Sequence, residues 1–203
     1  YTLRAVDIDL EKECFKALDR LLDRIERENA GRPYIVTRTK WLRALFEQAR
    51  LAVKPNDVFV DWMPDCWALT ERRVRHVAEF ERQRAEFAGT GHSTNIYSGK
   101  THGAYHACLD ASHVCPDWES ILSLGPRGLA ERARTRRQTA KTDDERLFLD
   151  CVAEVYDAMA ALCVRWADLA ESRGAPACAA VLREIAAHPP RTLREALQLQ
   201  LVY

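Results

Sequence analysis

The sequence predicts a mainly α-helical protein that carries one long structured loop at residues 89–116. Three observations lead to this fold class. Apolar residues recur at helical spacing over most of the chain, and two capping-box patterns mark helix starts at Thr142 and Thr192. The predicted loop holds four of the six histidines and two of the seven cysteines. A loop this long and this rich in polar and reactive groups is usually functional.

Composition excludes several classes of protein. Thirty basic and thirty acidic residues cancel, so the overall charge favours neither a nucleic acid nor a membrane surface as partner. No apolar run approaches the roughly 18 residues of a membrane span. The start resembles no signal peptide, so the seven cysteines predict reduced thiols in a cytoplasmic protein. The chain has no initiator Met and stops within an apolar helical pattern, so we expect part of a longer protein.

The first half of the chain predicts three helices. Residues 9–29 and 35–52 both show an apolar stripe, and Gly31 and Pro33 separate them. Residues 58–60 are predicted to be a brief strand or an extended segment. Residues 70–87 are rich in Arg and Glu, which predicts a helix with a solvated charged face.

The second half begins with a short helix at residues 117–124, which Asp117 is expected to cap and Gly125 to end. The basic run at 132–137 is too short, and too well balanced by acidic neighbours, to indicate nucleic-acid binding. We expect a solvated helix end there.

Three further boundaries are predicted by capping and breaking residues. Thr142 and Glu145 form a capping box that opens a helix to about residue 173. A tight connection at Gly174 then leads to a helix at 176–187, which predicts an antiparallel pair. Thr192, with Glu195, opens the final helix. The long helix is expected to bury an apolar stripe made of Leu147, Phe148, Cys151, Val155, Met159, Leu162, Trp166 and Leu169.

The histidines and cysteines of the loop leave four interpretations open. His102 and His106 have the spacing of a helical zinc pair, but Gly103 stands where the acidic residue of a His-Glu-x-x-His pattern belongs. We therefore predict no metal site. A cysteine nucleophile paired with a loop histidine is the second interpretation. The others are polar groups that satisfy the loop's own backbone and a loop that faces a substrate.

Several stretches resemble the N-terminal part of glycyl radical enzymes of the pyruvate formate-lyase family. Residues 113–129 (HVCPDWESILSLGPRGL) resemble the family pattern G-H-x-x-P-D-[YF]-x-x-[VI]-L-x-x-G-x-x-G-[LI]. Residues 189–198 (PPRTLREALQ) are similar to P-P-R-T-F-x-E-A-[LI]-Q, and residues 38–51 resemble an early family helix. Ser112 and Trp118 depart from the first pattern, which indicates an atypical member, similar to glycerol or diol dehydratases or a related lyase.

The resemblance implies a fold and a chemistry. The chain would be the helical N-terminal segment of a ten-stranded α/β barrel fold, with residues 1–203 forming an incomplete domain. A radical-SAM activating enzyme would install a glycyl radical, which oxidises a cysteine to a thiyl that attacks a small organic substrate. Neither the cysteine loop nor the glycine loop occurs in this sequence, so we expect no catalytic residue and no cofactor here. The radical would lie in the C-terminal part of an anaerobic enzyme, and family dimers suggest a homodimer.

The resemblance also assigns substrate-facing residues. His113 occupies the motif histidine, and Tyr105 lies where relatives often place an aromatic residue. A histidine there suits a hydrogen bond to a substrate hydroxyl or proton donation to a leaving group. His106 and Cys115 are further pocket candidates.

Two alternatives belong to other classes of protein. A stand-alone helical binding or scaffold domain would be soluble and monomeric, whereas a fragment would expose Leu193, Leu197 and Leu201 and aggregate. A small zinc protein would contain stoichiometric metal.

Overall fold

The computed structural model describes residues 8–60 and 116–203. The chain divides into one unit formed by residues 1–68 and 117–203 and a second formed by 69–116, of which only Pro116 is described. The predicted helix at 70–87 and the loop up to residue 115 therefore lie outside the described residues. Six helices occur in the described ranges: α1 (Ile8–Glu28), α2 (Tyr34–Gln48), α3 (Trp118–Arg137), α4 (Asp143–Ser172), α5 (Pro176–Ala187) and α6 (Leu193–Val202).

Helix α1 matches its prediction to within one residue at each end. Its apolar stripe buries Leu18, Leu22 and Ile25. Beyond its end, the Asn29 side-chain amide donates to the carbonyl of Ile25 at 2.8 Å. Gly31 then adopts a φ of +83°, a left-handed conformation that glycine tolerates best.

Helix α2 ends four residues earlier than predicted, at Gln48 rather than Ala52. Ala49 has a ψ of 143°, which is not helical. The guanidinium of Arg165 on α4 donates to the carbonyls of Phe46 and, at 3.0 Å, of Ala49. Tertiary contacts thus take up carbonyls that a longer helix would have bonded internally.

Helix α3 combines a confirmed prediction with a correction. Gly125 does end the first helical stretch, with φ 62° and ψ 178°. Helix resumes at once, however, and runs to Arg137, because Pro126 has a φ suited to a first helical position. The basic run is solvated as predicted, and Arg137 pairs with Asp150 of α4 at 2.5 Å.

Helix α4 is the centre of the core, and α2, α3 and α5 pack against it. Its capping box is confirmed: the Glu145 N–H donates to Thr142 Oγ1 at 3.1 Å, and the Thr142 N–H donates back to the Glu145 carboxylate at 3.3 Å. Phe148 was predicted to be buried but is 51% exposed. The core members from α4 are Ala158, Met159, Leu162, Cys163, Trp166, Ala167 and Ala170.

Helix α5 turns back along α4, as the tight connection at Gly174 predicts. Its Leu182, Ile185 and Cys178 are fully buried in the same core, and Arg183 reaches Asp168 of α4 at 3.2 Å. No helix in the described residues is long and apolar enough to cross a membrane.

Thr192 is the N-cap of helix α6, and its hydroxyl accepts from the Glu195 N–H at 3.2 Å. In the predicted capping box, the Glu195 carboxylate would accept from the N–H of Thr192. It accepts instead from the N–H of the preceding residue, Arg191, at 2.6 Å. This hydrogen bond lowers the pKa of the Glu195 carboxyl.

Candidate functional site

The predicted substrate-facing residues His113, Tyr105, His106 and Cys115 lie outside the described residues, as do His102 and the other loop candidates. The structure does describe the residues on both sides of this stretch. Two of them, Val60 and Trp118, contact Gln198 and Tyr203 respectively, and we call these four residues the anchor cluster. Val60 precedes residues 61–115 and Trp118 follows them, whereas Gln198 belongs to α6 and Tyr203 is the C-cap of that helix.

The first half of the anchor cluster joins Gln198 to Val60. The Val60 N–H donates to Gln198 Oε1 at 3.0 Å, and Gln198 Nε2 donates to the Val60 carbonyl at 2.8 Å. Gln198 is fully buried and Val60 is 2% exposed, so water cannot replace these bonds. Arg194 adds a bond from its Nη2 to the Val58 carbonyl at 3.2 Å. Residues 58–60 form a bend at Val58 followed by irregular backbone, and within the described residues their backbone groups bond to side chains of α6 and to no strand.

The second half of the anchor cluster is aromatic. Tyr203 packs against Trp118 with ring centroids 5.7 Å apart and tilted by 59°. On its other side the Tyr203 hydroxyl lies 3.2 Å from that of Tyr156 on α4. Burial, helped by this hydrogen bond, raises the pKa of Tyr156, so its hydroxyl stays protonated. Trp118, the first residue of α3, thus packs against the C-terminal end of α6.

Asp117 performs the capping role predicted for it. Its Oδ1 accepts from the backbone N–H of Ser120 at 3.1 Å, and Arg132 donates to the Ser120 hydroxyl at 2.8 Å. The hydrogen bonds from Ser120 lower the pKa of the Asp117 carboxyl. The ionised carboxylate of Asp117 therefore stabilises the N-terminus of α3.

The two sequence motifs that carry the resemblance meet at Gly125. A Cβ placed on this glycine would lie 3.1 Å from the His188 carbonyl oxygen and 3.2 Å from Pro189 Cα. Two residues later, Arg127 Nε donates to the Ala186 carbonyl at 2.9 Å. The glycine is thus required both for its positive φ and for a close approach to the turn before α6.

The described thiols are structural. Burial raises the pKa of Cys163 to about 12 and also raises that of Cys178. A buried thiol with a raised pKa is a poor nucleophile. Cys151 is buried as well, so the prediction that it belongs to the buried apolar stripe of α4 is confirmed.

A charged cluster between α2 and α4 is the other polar feature of this unit. Lys40 Nζ lies 2.7 Å and Arg43 Nη1 3.2 Å from Glu154 Oε1. Burial alone would raise the pKa of Glu154, but the hydrogen bonds from Lys40 and Arg43 outweigh it and lower that pKa. Within residues 8–60 and 116–203, no group of three or more metal-ligating side chains is close enough to hold an ion.

Comparison with known proteins assigns the family. The sequence profile described as pyruvate formate lyase-like matches residues 80–203, more than half of the chain. The chain belongs to the pyruvate formate lyase-like family. The family resemblance drawn from residues 113–129 and 189–198 is therefore confirmed. None of the curated protein sequences matches the chain significantly.

Two solved structures show the fold of this pyruvate formate lyase-like chain. The glycerol-bound form of the B12-independent glycerol dehydratase from Clostridium butyricum superposes with a TM-score of 0.61 at 15% identity, over 96% of this chain and 33% of that one. A glycyl radical enzyme from Archaeoglobus fulgidus gives 0.58 at 14% identity, over 95% and 33%. The chain thus spans about a third of the length of these relatives, and its mainly α fold is that of a segment of glycyl radical enzymes.

The sequence placed Gln198 in the second family motif, residues 189–198, but did not predict that its side chain bonds to the backbone of Val60. A signal was available, because Gln198 occurs between Leu197 and Leu199 in a helix that otherwise has an apolar side. A polar residue on the buried side of a helix needs a hydrogen-bond partner. The sequence did not indicate that this partner is the backbone of Val60.

Proposed function

We propose that this pyruvate formate lyase-like chain is the N-terminal segment of a glycyl radical lyase or dehydratase that is inactive without the rest of the enzyme. The enzyme would cleave a C–O, C–C, C–N or C–S bond of a small organic substrate. A glycyl radical in the C-terminal part supplies the hydrogen-abstraction chemistry after a radical-SAM enzyme installs it. The whole enzyme would be cytoplasmic, anaerobic and, by family analogy, homodimeric.

The observation that carries this proposal is the contact between the two family motifs. Gly125 of the first motif lies against the backbone of His188 and Pro189 at the start of the second, so that a Cβ there would be 3.1–3.3 Å from their atoms and would force them to shift. Gln198 of the second motif holds Val60. Residues characteristic of the family thus act together in the packing of this chain.

We further propose that His113 and Tyr105 contact the substrate, with His106 and Cys115 nearby. A neutral histidine can accept a hydrogen bond from a substrate hydroxyl, and a protonated one can give a proton to a departing hydroxyl. The solved relative from Clostridium butyricum is a glycerol dehydratase with glycerol bound. Glycerol and propane-1,2-diol are therefore the first substrates to test.

The experiment uses the complete protein, with the sequence beyond Tyr203, and its activating enzyme under anoxic conditions. Electron paramagnetic resonance measures the glycyl radical, and aldehyde formation measures dehydration. His113→Gln is expected to keep the radical signal and to lose at least about 100-fold in kcat, as for loss of a positioned acid–base group. His188→Gln is the matched control, because this exposed histidine follows α5 and should leave kcat unchanged.

Three results would contradict the proposal. If the complete protein had neither a glycine loop nor a cysteine loop, it could not carry out the proposed radical chemistry. A radical signal without turnover of any tested diol would remove the dehydratase assignment. Normal turnover by His113→Gln would remove the role of His113 while leaving the enzyme class intact.

A stand-alone helical scaffold remains the alternative, and a surface of α6 argues against it. Leu193, Leu197 and Leu201 are 77%, 41% and 45% exposed. They repeat every four residues, so they form one apolar ridge on the helix. Such a ridge is typical of a surface that another part of a protein covers.

A further inference from the structure

A cavity of about 260 Å³ lies between the first halves of α2 and α4. Its inner wall is apolar and contains Leu42, Val155 and Met159, and Tyr203 contributes at one side. The cavity is somewhat smaller than the roughly 300–1,000 Å³ of pockets that take drug-sized ligands. A ligand that fills it is therefore small and has an apolar tail.

Among the described residues, the polar groups that line this cavity are the hydroxyls of Tyr156, Tyr203 and Thr39, the thiol of Cys151 and the guanidinium of Arg38. Tyr156 and Tyr203 bond to each other at 3.2 Å, which uses one of their two hydroxyl protons and leaves the other as a donor. Arg38 is the charged residue among the lining side chains. Ligand pockets typically combine an apolar wall with a few such orienting groups.

The guanidinium of Arg38 stacks on aromatic rings. Its Cζ lies 4.9 Å from the centroid of the Trp41 ring and 5.9 Å from that of Tyr34. Stacking holds the plane of a guanidinium but leaves its N–H edge available for a bidentate bond to a carboxylate. The contacts with the two rings therefore hold the Arg38 guanidinium beside the apolar cavity.

Three acidic residues of α4 that are next to the lining residues in sequence are engaged with other cations. Asp150 pairs with Arg137 at 2.5 Å, and Glu154 pairs with Lys40 at 2.7 Å and Arg43 at 3.2 Å. Asp157 pairs with Arg134. Within the described residues, these pairs leave the charge of Arg38 opposite aromatic rings and not opposite a carboxylate.

We propose that the α2–α4 cavity binds a small carboxylate with a short alkyl or single-ring tail. The tail lies against Leu42, Val155 and Met159, and the carboxylate accepts the N–H edge of Arg38. The tyrosine pair donates its spare hydroxyl proton to the same carboxylate. Among the described residues, those that line the site belong to α2, α4 and the C-cap of α6, and none of them is a substrate residue proposed above.

The test measures binding of hexanoate to the complete protein by isothermal titration calorimetry, with hexanamide as the neutral probe of nearly equal shape. Hexanoate is expected to bind with a Kd on the order of 1 mM or tighter, as suits a ligand of this size. Hexanamide is expected to bind at least about tenfold more weakly, because it lacks the charge that pairs with Arg38. Arg38→Met keeps the stem of the side chain and is expected to abolish this preference.

Two further variants complete the test. Arg136→Met removes an exposed cation of α3 that does not line the cavity, and it should bind hexanoate as the unaltered chain does. Val155→Phe fills the cavity and should abolish binding of both probes; if it fails to fold, Arg38→Met still decides the question. Equal binding of the two probes, unchanged binding by Arg38→Met, or no binding of hexanoate at all would each overturn the proposal.

Discussion

Gln198 gives Val60 the two hydrogen bonds that a neighbouring β-strand would otherwise supply. One side-chain amide accepts from the N–H and donates to the carbonyl of the same residue, at 3.0 and 2.8 Å, in a fully buried position. This irregular segment can therefore enter the core, because the polar backbone groups of Val60 are satisfied.

This pair predicts an unusual dependence on pH. Gln198→Leu leaves two buried backbone groups without partners and should lower the free energy of unfolding by about 2–4 kcal/mol. Gln198→Glu keeps the pair only when its carboxyl is protonated, since a carboxylate cannot donate to the Val60 carbonyl. Urea unfolding should therefore show a smaller loss for Gln198→Glu at pH 5 than at pH 8. The exposed neighbour Gln200→Leu is the control, and equal losses for both positions would refute the role of Gln198.

Gly125 predicts a contrast between two glycines with positive φ. Gly125→Ala places a methyl group 3.1 Å from the His188 carbonyl oxygen and also strains a φ of +62°. Gly174→Ala strains a φ of +78° but meets no atom within 4 Å. The second change should cost about 1 kcal/mol, and the first at least about 1 kcal/mol more. Chemical denaturation measures both, and equal costs would show that the contact with the turn before α6 is unimportant.

The Glu154 cluster predicts acid sensitivity. The pKa of Glu154 is lower in the folded state than its ordinary value of 4.5. Its contribution to stability is therefore complete above the unfolded-state pKa and is lost as the pH falls through the folded-state pKa. Glu154→Gln should therefore cost roughly 1 kcal/mol at pH 7 and nothing at a pH below the folded-state pKa. Thermal unfolding at the two pH values measures this difference. Val164→Gln, at an exposed position of the same helix that carries no titratable group, should cost the same at both pH values.

The apolar ridge of α6 predicts self-association of the isolated chain. Replacing Leu193, Leu197 and Leu201 together by Gln should suppress concentration-dependent light scattering, because it removes the exposed apolar surface. The free energy of unfolding should change little, since the three side chains are exposed. Val164→Gln alters an apolar residue of α4 that is 39% exposed and should leave scattering unchanged. A monodisperse unaltered chain at high concentration would favour the scaffold alternative.

Local signals in the sequence located most of the described helices. The Thr142–Glu145 box, the Asp117 cap and Gly174 each act within a few residues, so their effects follow from neighbours in the chain. The early end of α2 could not be predicted in this way. It depends on Arg165, more than a hundred residues away, which bonds the carbonyls of Phe46 and Ala49.

By itself, the sequence determined the family, the order of the helices and the positions of their caps, because these follow from periodicity, short-range hydrogen bonding and motif identity. Only the tertiary structure decided what the motifs do. It brought Gly125 against the turn at His188 and Pro189, and it turned Gln198 of the second motif towards Val60. These contacts join residues 63 and 138 positions apart, and their partners are backbone atoms that every residue carries. Sequence patterns hold no record of which backbone group a buried amide will meet, since packing of the folded chain alone brings the two together.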